Sequence, residues 1–252
     1  MRTIPSSELI INGDGSIFHL HLKPEQLAGI VILVGDPGRV AMIAEYFDTK
    51  ECEVANREFL TVTGSYKGKR MTVMSTGIGI GNIDISVTEL DALANIDFET
   101  RQVKEQFRQL TLVRLGTSGA IQQDIEVGEV VFARTSLGFD GLLSYYAGRD
   151  GVCDLALEEA FSEHTAWDKK LPAPYFVNAH DDLYELFKDS TREGITIAAP
   201  GFYAPQGRWV RLQPHDLKLN EKIESFRFGE RRITNFEMEG SALAGLAALM
   251  GH

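Results

Sequence analysis

Gln-Leu-Thr-Leu-Val-Arg-Leu-Gly-Thr-Ser-Gly-Ala, residues 109–120, is the stretch that decides the fold. Its apolar part predicts a buried β-strand, which ends at a turn containing two glycines and two hydroxyl side chains, 116–119. Open α/β sheets hold their ligands at the carboxyl ends of strands. The stretch therefore predicts a ligand site where this strand ends.

Arg114 lies inside this predicted strand. A guanidinium is seldom buried without an anionic partner, because an unpaired charge out of water costs on the order of several kcal/mol. Thr117, three residues further on, could donate a hydrogen bond to the same anion. The anion is either a bound ligand or a buried Asp or Glu of the chain, and at this point both interpretations stay open.

Composition narrows the class of protein. The chain has 252 residues, 44% hydrophobic and 24% charged, which favours one large globular domain over two small ones. The formal net charge of -11 argues against a nucleic-acid partner or an anionic membrane, since both attract a basic face. Cys52 and Cys153 have neither metal-ligand spacing nor a disulfide framework, which favours a reducing, cytoplasmic setting. No secretory signal is visible, and no apolar run approaches the roughly 20 residues that span a bilayer.

A second turn of the ligand-binding kind follows the apolar run Ile30–Val34, which predicts a strand covered on both faces. The chain continues through Gly35-Asp-Pro-Gly to Arg39 and a helix predicted over 40–47. This order of strand, glycine turn and helix presents backbone N–H groups to an anion. In the first helical turn Arg39 opposes the helix dipole unless an anion binds there, and the alternative is an ordinary surface arginine.

Periodicity and turn residues predict the remaining elements. Strands are expected at 16–22 (an edge strand or extended arm), 60–66, 70–74 (which completes a hairpin), 127–134 and 194–199. Helices are expected at 83–94, 155–167, 179–188 and 241–250, and residues 135–150 are expected to form a loop.

Two further patterns are typical of ligand sites, but in each of them one feature argues against the ligand. The glycines at 77, 79 and 81 resemble a dinucleotide loop, but Asn82 replaces the last glycine of G-x-G-x-x-G, which argues against a dinucleotide oxidoreductase. His19 and His21 would share one face of the predicted strand 16–22. Because no Cys, Asp or Glu partner is evident nearby, we predict no metal site.

Two late segments carry groups suited to a small polar ligand. The loop 200–209 combines aromatic rings with Gln206 and Arg208, which could hydrogen-bond a flat heterocycle bearing carbonyl oxygens. Asn235-Phe-Glu-Met-Glu239 precedes a fully apolar helix. That position favours placing at least one of its two acids inside a site.

From about Phe18 to the last residue, the chain resembles the nucleoside phosphorylases of the uridine and purine phosphorylase superfamily. Five landmarks stand in the family's order: Gly35–Arg39, Asn56–Phe59, Ser75–Gly79, Arg114–Ala120 and Asn235–Glu239. A narrower likeness is Phe202-Tyr203 followed by Gln206-Gly-Arg208, which is similar to the uracil clamp of the uridine-specific members. The purine enzymes lack that clamp.

The resemblance implies a single α/β domain over residues 1–252, a three-layer α/β/α sandwich around a mixed, barrel-like central sheet. It implies phosphorolysis of uridine, and deoxyuridine as a further candidate, to uracil and ribose 1-phosphate. A purine nucleoside phosphorylase or a nucleosidase on the same fold stays open as an alternative. So does a protein that binds a nucleoside without turnover.

The resemblance also assigns roles to individual residues. Phosphate would contact Gly35, Arg39, Arg57, Arg114 and Thr117; the ribose would contact His19, Met238, Glu239 and Thr117; and the base would contact Phe202, Gln206 and Arg208. The expected catalytic residues are Arg208 and Gln206, which would stabilise the leaving uracil, and Glu239, which would grip the ribose hydroxyls.

In the family pattern the neighbouring subunit donates Arg57 and His19, and His19 reaches the 5′-hydroxyl of the ribose. A homodimer is therefore the expected minimal active unit, and a homohexamer the expected assembly. No organic cofactor is expected, because inorganic phosphate is a co-substrate.

Two departures from the family stand out. Relatives that bind a monovalent cation between subunits use a glutamate, an isoleucine carbonyl and a serine, whereas this chain has Glu58, Ile78 and, in the serine position, Asn82. The cation is therefore in doubt. Family members also continue past the last helix into a strand and a closing segment, whereas this sequence ends at His252. Either a shortened chain or a more open pocket is expected.

Overall fold

The computed structural model describes residues 2–252. They form two compact units, one reaching as far as Gly116 and including Met250–His252, the other spanning Thr117–Leu249. Each unit has its own sheet and its own helices. The single domain expected over residues 1–252 stays a prediction.

Within the described residues, the first unit contains seven strands and two α-helices, with a short 3-10 helix at Pro24–Gln26. In chain order these elements are β1 (Ile30–Val34), α1 (Pro37–Ala44), β2 (Thr49–Asn56), β3 (Phe59–Tyr66), β4 (Lys69–Ser75), α2 (Ile80–Asn95), β5 (Ile96–Asp97), β6 (Gln102–Val103) and β7 (Thr111–Leu115).

The main sheet of the first unit is mixed and has the strand order β2-β3-β4-β1-β7. β2, β3 and β4 pair antiparallel, whereas β1 runs parallel to both β4 and β7. Val34 pairs with Ser75, and Leu33 pairs with Arg114. The carboxyl ends of β4, β1 and β7 therefore meet at one edge of the sheet, where parallel strands place their ligand-binding turns.

Local sequence explains these elements. The hairpin of β3 and β4 turns through Lys67 and Gly68, both with positive φ (47° and 75°), as the tight turn of a twisted hairpin requires. In α2 the predicted apolar stripe is buried. Val34, Val40 and Val73 belong to one cluster that seals α1 onto the sheet. The predictions of this hairpin, of β1 and of α2 are confirmed. The helix predicted over 40–47 exists but begins at Pro37 and ends at Ala44, because Asp36 caps it and Pro37 suits its first position.

Two predictions about the first unit were wrong. Residues 16–22 do not form a strand, because the N–H of Ile17 donates to the carbonyl of Leu22 (2.8 Å) and His21 has a φ of 56°, so the chain turns back. The strand that carries Arg114 exists but is not fully buried. β7 lies at the edge of its sheet, and Leu115 is 49% exposed.

In the described residues, the second unit contains six strands and four α-helices, with 3-10 helices at Leu142–Tyr145, Arg149–Gly151 and Ala204–Gln206. In chain order they are β8 (Gly119–Ala120), β9 (Val131–Gly138), α3 (Leu155–Thr165), β10 (Tyr175–Asn178), α4 (Asp181–Phe187), β11 (Arg192–Ala198), α5 (Leu219–Ser225), β12 (Arg227–Phe228), β13 (Arg231–Glu237) and α6 (Gly240–Met250).

The sheet of the second unit is also mixed, with the order β10-β9-β11-β13-β12 and with β8 paired to β13. β9, β11 and β13 are parallel, and the three remaining strands pair antiparallel to them. Its core consists of apolar residues of these strands packed against Phe161 of α3 and against Phe226, the residue that follows α5. The unit is therefore a sheet covered by helices, with its own hydrophobic core.

The sequence misplaced one strand of this unit and missed others. β9 was expected at 127–134 with a loop from Thr135, but the strand continues to Gly138. Thr135 and Ser136 are buried there, because β10 and β11 pair with this segment and the Thr135 hydroxyl donates to Asn178 (2.7 Å). β10, β13 and α5 were not predicted, whereas α3, α4, β11 and α6 were.

Candidate functional site

In the first unit, the glycine turn after β1 lies beside the guanidinium of Arg114 on β7. The Asp36 carboxylate caps α1 by accepting from the N–H of Gly38 at 2.8 Å. A Cβ placed on Gly35 would lie 3.9 Å from Nη2 of Arg114. The same guanidinium covers Gly116 so closely that a Cβ there would overlap it. A side chain at position 116 would therefore require the Arg114 guanidinium to move from this position.

Arg39 lies in the first turn of α1, as predicted, with its N–H bonded to the carbonyl of Asp36 at 3.0 Å. The Asp36 carboxylate that caps this helix offsets part of the unfavourable interaction between Arg39 and the helix dipole. The helix N-terminus and the guanidinium groups of Arg39 and Arg114 still suit a further anion at the carboxyl edge of the sheet.

Arg57 and His19 belong to another cluster of the first unit. Arg57 is exposed in the turn between β2 and β3, and its guanidinium carbon lies 5.6 Å from the centre of the Phe18 ring. The rings of Phe18 and His19 stand edge to face at 4.6 Å, and Asn56 donates to the carbonyl of His19 at 2.8 Å. The two residues that the family resemblance assigns to a neighbouring subunit are therefore grouped in one part of this chain.

Glu89 on α2 was not among the site residues predicted from the sequence. Its carboxylate accepts hydrogen bonds from the backbone N–H groups of His19 and Leu20. One of its oxygens also lies 2.6 Å from Nδ1 of His19. Nothing in the local sequence pointed to this contact with a histidine 70 residues earlier.

In the second unit, the loop before and after the 3-10 helix Ala204–Gln206 brings the predicted base-binding residues together. The Arg208 guanidinium stacks on Phe202, 3.8 Å from the ring centre, and donates to the Phe202 carbonyl at 2.7 Å. It also donates to Oε1 of Gln206, a residue that is only 6% exposed. Gln206 and Arg208 are therefore held side by side as one hydrogen-bonding unit.

Gly207 makes this arrangement possible. Its φ of 75° lies in the left-handed region, which favours glycine. A Cβ at this position would also overlap the side chain of Asn220, whose amide donates to the carbonyl of Gln206 at 3.2 Å. Asn220 is a further supporting residue that sequence reasoning did not identify.

The two acids that flank Met238 have different roles. The Glu237 carboxylate accepts from the N–H groups of Glu239 (2.9 Å) and Gly240 (2.8 Å), and so caps the start of α6. Glu239 is only 4% exposed, and Met238 is partly buried beside it. Glu237 thereby fixes the backbone that carries the predicted ribose-binding residue.

Asn235 anchors the hydroxyl turn of the second unit. It is buried, accepts from the hydroxyls of Thr196 and Thr234 (both 2.8 Å), and donates to Ser118 Oγ at 2.7 Å. Thr117, next to Ser118, is exposed. Gly119 follows, and a Cβ on it would lie 3.7 Å from Nη2 of Arg208. The turn and the base loop are thus neighbours within this unit.

A buried polar cluster supports α6 from below. The Tyr175 hydroxyl donates to the Asp140 carboxylate at 3.0 Å, and Ser241 in the first turn of α6 donates to the same carboxylate at 3.1 Å. Burial, reinforced by the charge of Asp140, raises the pKa of Tyr175 above its ordinary range. Tyr175 therefore stays a proton donor at any ordinary pH.

Within residues 2–252, no group of three or more His, Cys, Asp or Glu side chains is arranged to hold a metal ion. Glu58 and Asn82, named above for the doubtful cation, both approach Gly77, where a Cβ would lie 2.7 Å from the Asn82 amide nitrogen. No described helix is long and apolar enough to cross a membrane.

Comparison with known proteins agrees with this architecture. Residues 29–252 match the Phosphorylase superfamily, and the chain belongs to that family. It is 30% identical over 240 residues to a uridine phosphorylase of Thermococcus kodakarensis, which covers 94% of this chain and 74% of the relative. It is also 37% identical over 231 residues to a DeoD-type purine nucleoside phosphorylase of Brevibacillus brevis, covering 91% of this chain and 80% of the relative.

A solved structure is also similar. The crystal structure of a Trypanosoma brucei nucleoside phosphorylase, described as showing uridine phosphorylase activity, has a TM-score of 0.85 and 28% identity to this chain. The match covers 96% of this chain and 86% of that one. The predicted fold class, a mixed α/β nucleoside phosphorylase fold, is confirmed.

Proposed function

We propose that the chain catalyses the phosphorolysis of uridine, in which phosphate attacks C1′ of the ribose, the bond to N1 of uracil breaks, and ribose 1-phosphate forms. Family membership and relatives named uridine phosphorylase support this function. The observation that carries the choice of base is the paired arrangement of Gln206 and Arg208.

The pair matches the edge of uracil. That edge offers a carbonyl, an N–H and a second carbonyl in sequence. A guanidinium can donate to one carbonyl, while the amide of Gln206 accepts from the N–H and donates to the other carbonyl. Hypoxanthine, the base of inosine, offers only one carbonyl and one N–H on the corresponding edge. A purine would therefore leave one donor of this pair unmatched beside the nearly buried Gln206, which disfavours it.

The same pair would assist the reaction. As the bond to N1 breaks, negative charge spreads onto the uracil carbonyl oxygens. Arg208 is held in place before substrate arrives by its bonds to Phe202 and Gln206 and by stacking on the Phe202 ring. A donor that is already oriented stabilises developing charge without the cost of reorganising water. Arg208 and Gln206 are therefore the proposed catalytic residues of the leaving group.

The ribose would be held by the segment at the start of α6. Glu239 is almost fully buried, and an ionised carboxylate there would accept charge-assisted hydrogen bonds from the ribose hydroxyls. Met238 would contact the face of the sugar, and Thr117 would bond both sugar and phosphate. Glu239 would also favour the positive charge that grows on the sugar, and in this role we count it as catalytic.

Phosphate would be bound by the backbone at Gly35 and by Arg39, Arg57, Arg114 and Thr117. Three guanidinium groups more than balance a phosphate dianion, and such a site would be superfluous in a hydrolase. The proximity of Arg114 to Gly35 and the position of Arg39 at a helix N-terminus support this assignment.

We further propose that the active unit is a homodimer, within a homohexamer, in which a second copy supplies Arg57 and His19. Their grouping around Phe18 supports a joint contribution. The enzyme would need no organic cofactor, and the negative formal charge and sparse cysteines fit a cytoplasmic protein.

The test is ultraviolet absorbance after mixing the purified chain with uridine, with and without inorganic phosphate, and with inosine in parallel. Release of uracil only when phosphate is present, with little release of base from inosine, is the expected result. Release without phosphate would mean a nucleosidase.

A preference for inosine would mean a purine nucleoside phosphorylase, the alternative that the 37% identical relative keeps open. If no nucleoside is cleaved, equilibrium dialysis with radiolabelled uridine decides between a binding protein and an unrelated ligand.

A further inference from the structure

The environment of Glu89 is unusual for a helical glutamate. Its side chain is only 12% exposed, and it reaches from α2 to the segment at His19. The His19 N–H lies 3.0 Å from both carboxylate oxygens, and the Leu20 N–H donates at 2.8 Å. Nδ1 of His19 lies 2.6 Å from Oε1. Two backbone donors and one ring nitrogen thus converge on one carboxylate.

This arrangement decides which ring nitrogen of His19 carries the proton. An ionised carboxylate can only accept hydrogen bonds, so Nδ1 must be the donor. In the neutral ring, Nε2 is then left as an acceptor. The backbone bonds hold the residue in place, and the adjoining Phe18 ring limits rotation of the imidazole. The His19 side chain keeps 27% of its surface exposed, so the ring is fixed but accessible.

We propose that Glu89 is a positioning residue for the nucleoside 5′-hydroxyl. By fixing the orientation and tautomer of His19, it presents Nε2 as an acceptor to the 5′-hydroxyl of a nucleoside bound by a second copy of this chain. This inference rests on the proposed function and deepens it, since it makes recognition of the 5′-hydroxyl depend on an acid outside the substrate site.

A purely structural role for Glu89 would have a different consequence. If the carboxylate only anchors the backbone at His19 and Leu20, its loss weakens the fold and lowers activity on every nucleoside alike. If it acts through the imidazole, its loss affects only substrates that possess a 5′-hydroxyl. Comparing uridine with 5′-deoxyuridine separates the two roles.

The experiment measures kcat/KM for phosphorolysis of both nucleosides by the full chain. For the wild type we expect uridine to be preferred by roughly tenfold, the value of about one good hydrogen bond. His19→Ala and Glu89→Ala should each bring this ratio close to 1, with little change on 5′-deoxyuridine. The double variant should show no further fall, because Glu89 acts through His19.

Glu89→Gln tests the tautomer and keeps the inference testable if Glu89→Ala folds poorly. The amide oxygen can still accept from the backbone, but its NH₂ would face Nδ1 and reverse the tautomer of the ring. We expect this variant to lower the uridine preference severalfold while its kcat on 5′-deoxyuridine is retained. Thr88→Ala, an exposed neighbour on the same helix, is the matched control and should leave the ratio unchanged.

Equal losses on both nucleosides in both Glu89 variants, or an unchanged ratio, would overturn the inference. A further fall in the double variant would do so as well. These results are distinct from failure of the proposed function, which would appear as a wild type that releases no uracil with phosphate. A wild type that cleaves both nucleosides equally well would refute the roles of His19 and Glu89 and leave the function standing.

Discussion

Arg208→Ala tests the central residue of the proposed base site. The guanidinium bonds Gln206 and the Phe202 carbonyl and stacks on the Phe202 ring, so its removal takes away the donor meant for the leaving uracil. Loss of one such oriented donor costs about 2.7–4 kcal/mol of transition-state stabilisation, or roughly 10²–10³ in kcat. We expect a fall of that size in kcat for uridine.

The same variant should lose some stability. Gln206 is nearly buried, and its Oε1 would lose the hydrogen bond from Arg208. If no other donor replaces it, the free energy of unfolding falls by about 1–3 kcal/mol. Phe202 is 50% exposed, so the lost stacking adds only about 0.5–1 kcal/mol. Urea unfolding measures this loss, and kinetics must be run where the variant is fully folded. Arg211→Ala, an exposed arginine further along the same loop, is the control and should change neither quantity.

A comparison of leaving groups makes the test specific. Fluorine at C5 withdraws electrons, so the uracil of 5-fluorouridine leaves more easily and needs less help. The loss caused by Arg208→Ala should therefore be smaller on 5-fluorouridine than on uridine. Wild-type-like kcat on uridine in the folded variant would remove Arg208 from the mechanism. An equal loss on both substrates would refute charge stabilisation and leave only a role in binding.

Three further predictions concern stability and reactivity. Gly207→Ala should destabilise the chain by more than the roughly 1–2 kcal/mol of a left-handed alanine, because the new Cβ would also overlap Asn220, and urea unfolding measures this. Tyr175→Phe removes a buried hydrogen bond to the Asp140 carboxylate and should cost about 1.5–3 kcal/mol in the same assay. Alkylation of Cys153 should keep accelerating from pH 8 to pH 10 without levelling off near 9, because burial raises the pKa of its thiol to about 12, and mass spectrometry follows it.

Each of these has a control. Gly68 has the same φ of 75° as Gly207, but a Cβ at Gly68 would have open space around it. An equal loss of stability in Gly68→Ala and Gly207→Ala would therefore refute the overlap at Gly207. An unchanged unfolding midpoint in Tyr175→Phe would mean that the hydroxyl bond contributes nothing.

Cys52→Ser isolates Cys153 for the alkylation assay, and a plateau near pH 9 in the folded chain would contradict its raised pKa. The pH dependence of folding stability follows from the same pKa shift. Since the native thiol holds its proton more tightly than the unfolded one, the contribution of Cys153 to folding stability is complete below about pH 9 and is lost as pH rises toward 12.

What the sequence alone determined about this protein depends on short-range physics. The turn Gly35–Arg39, the hairpin at Lys67 and Gly68, and the buried stripe of α2 follow from backbone preferences and from periodicity within a few residues. Gln206 and Arg208 are only two positions apart, so their partnership in one loop could be expected from their spacing. The residues of the phosphate, ribose and base sites themselves stay predictions until the kinetic tests are made.

Tertiary structure alone decided the contacts between distant segments. Glu89 meets His19 across 70 residues, and Asn235 meets Ser118 across 117. No local pattern could show that the segment at His19 turns back rather than extending as a strand, since its apolar residues are buried by both geometries. The strand at 131–138 likewise extends into a polar segment because neighbouring strands satisfy its hydrogen bonds. Pairing between distant strands and buried polar groups is set by which partners the fold brings together, and a single sequence does not encode that locally.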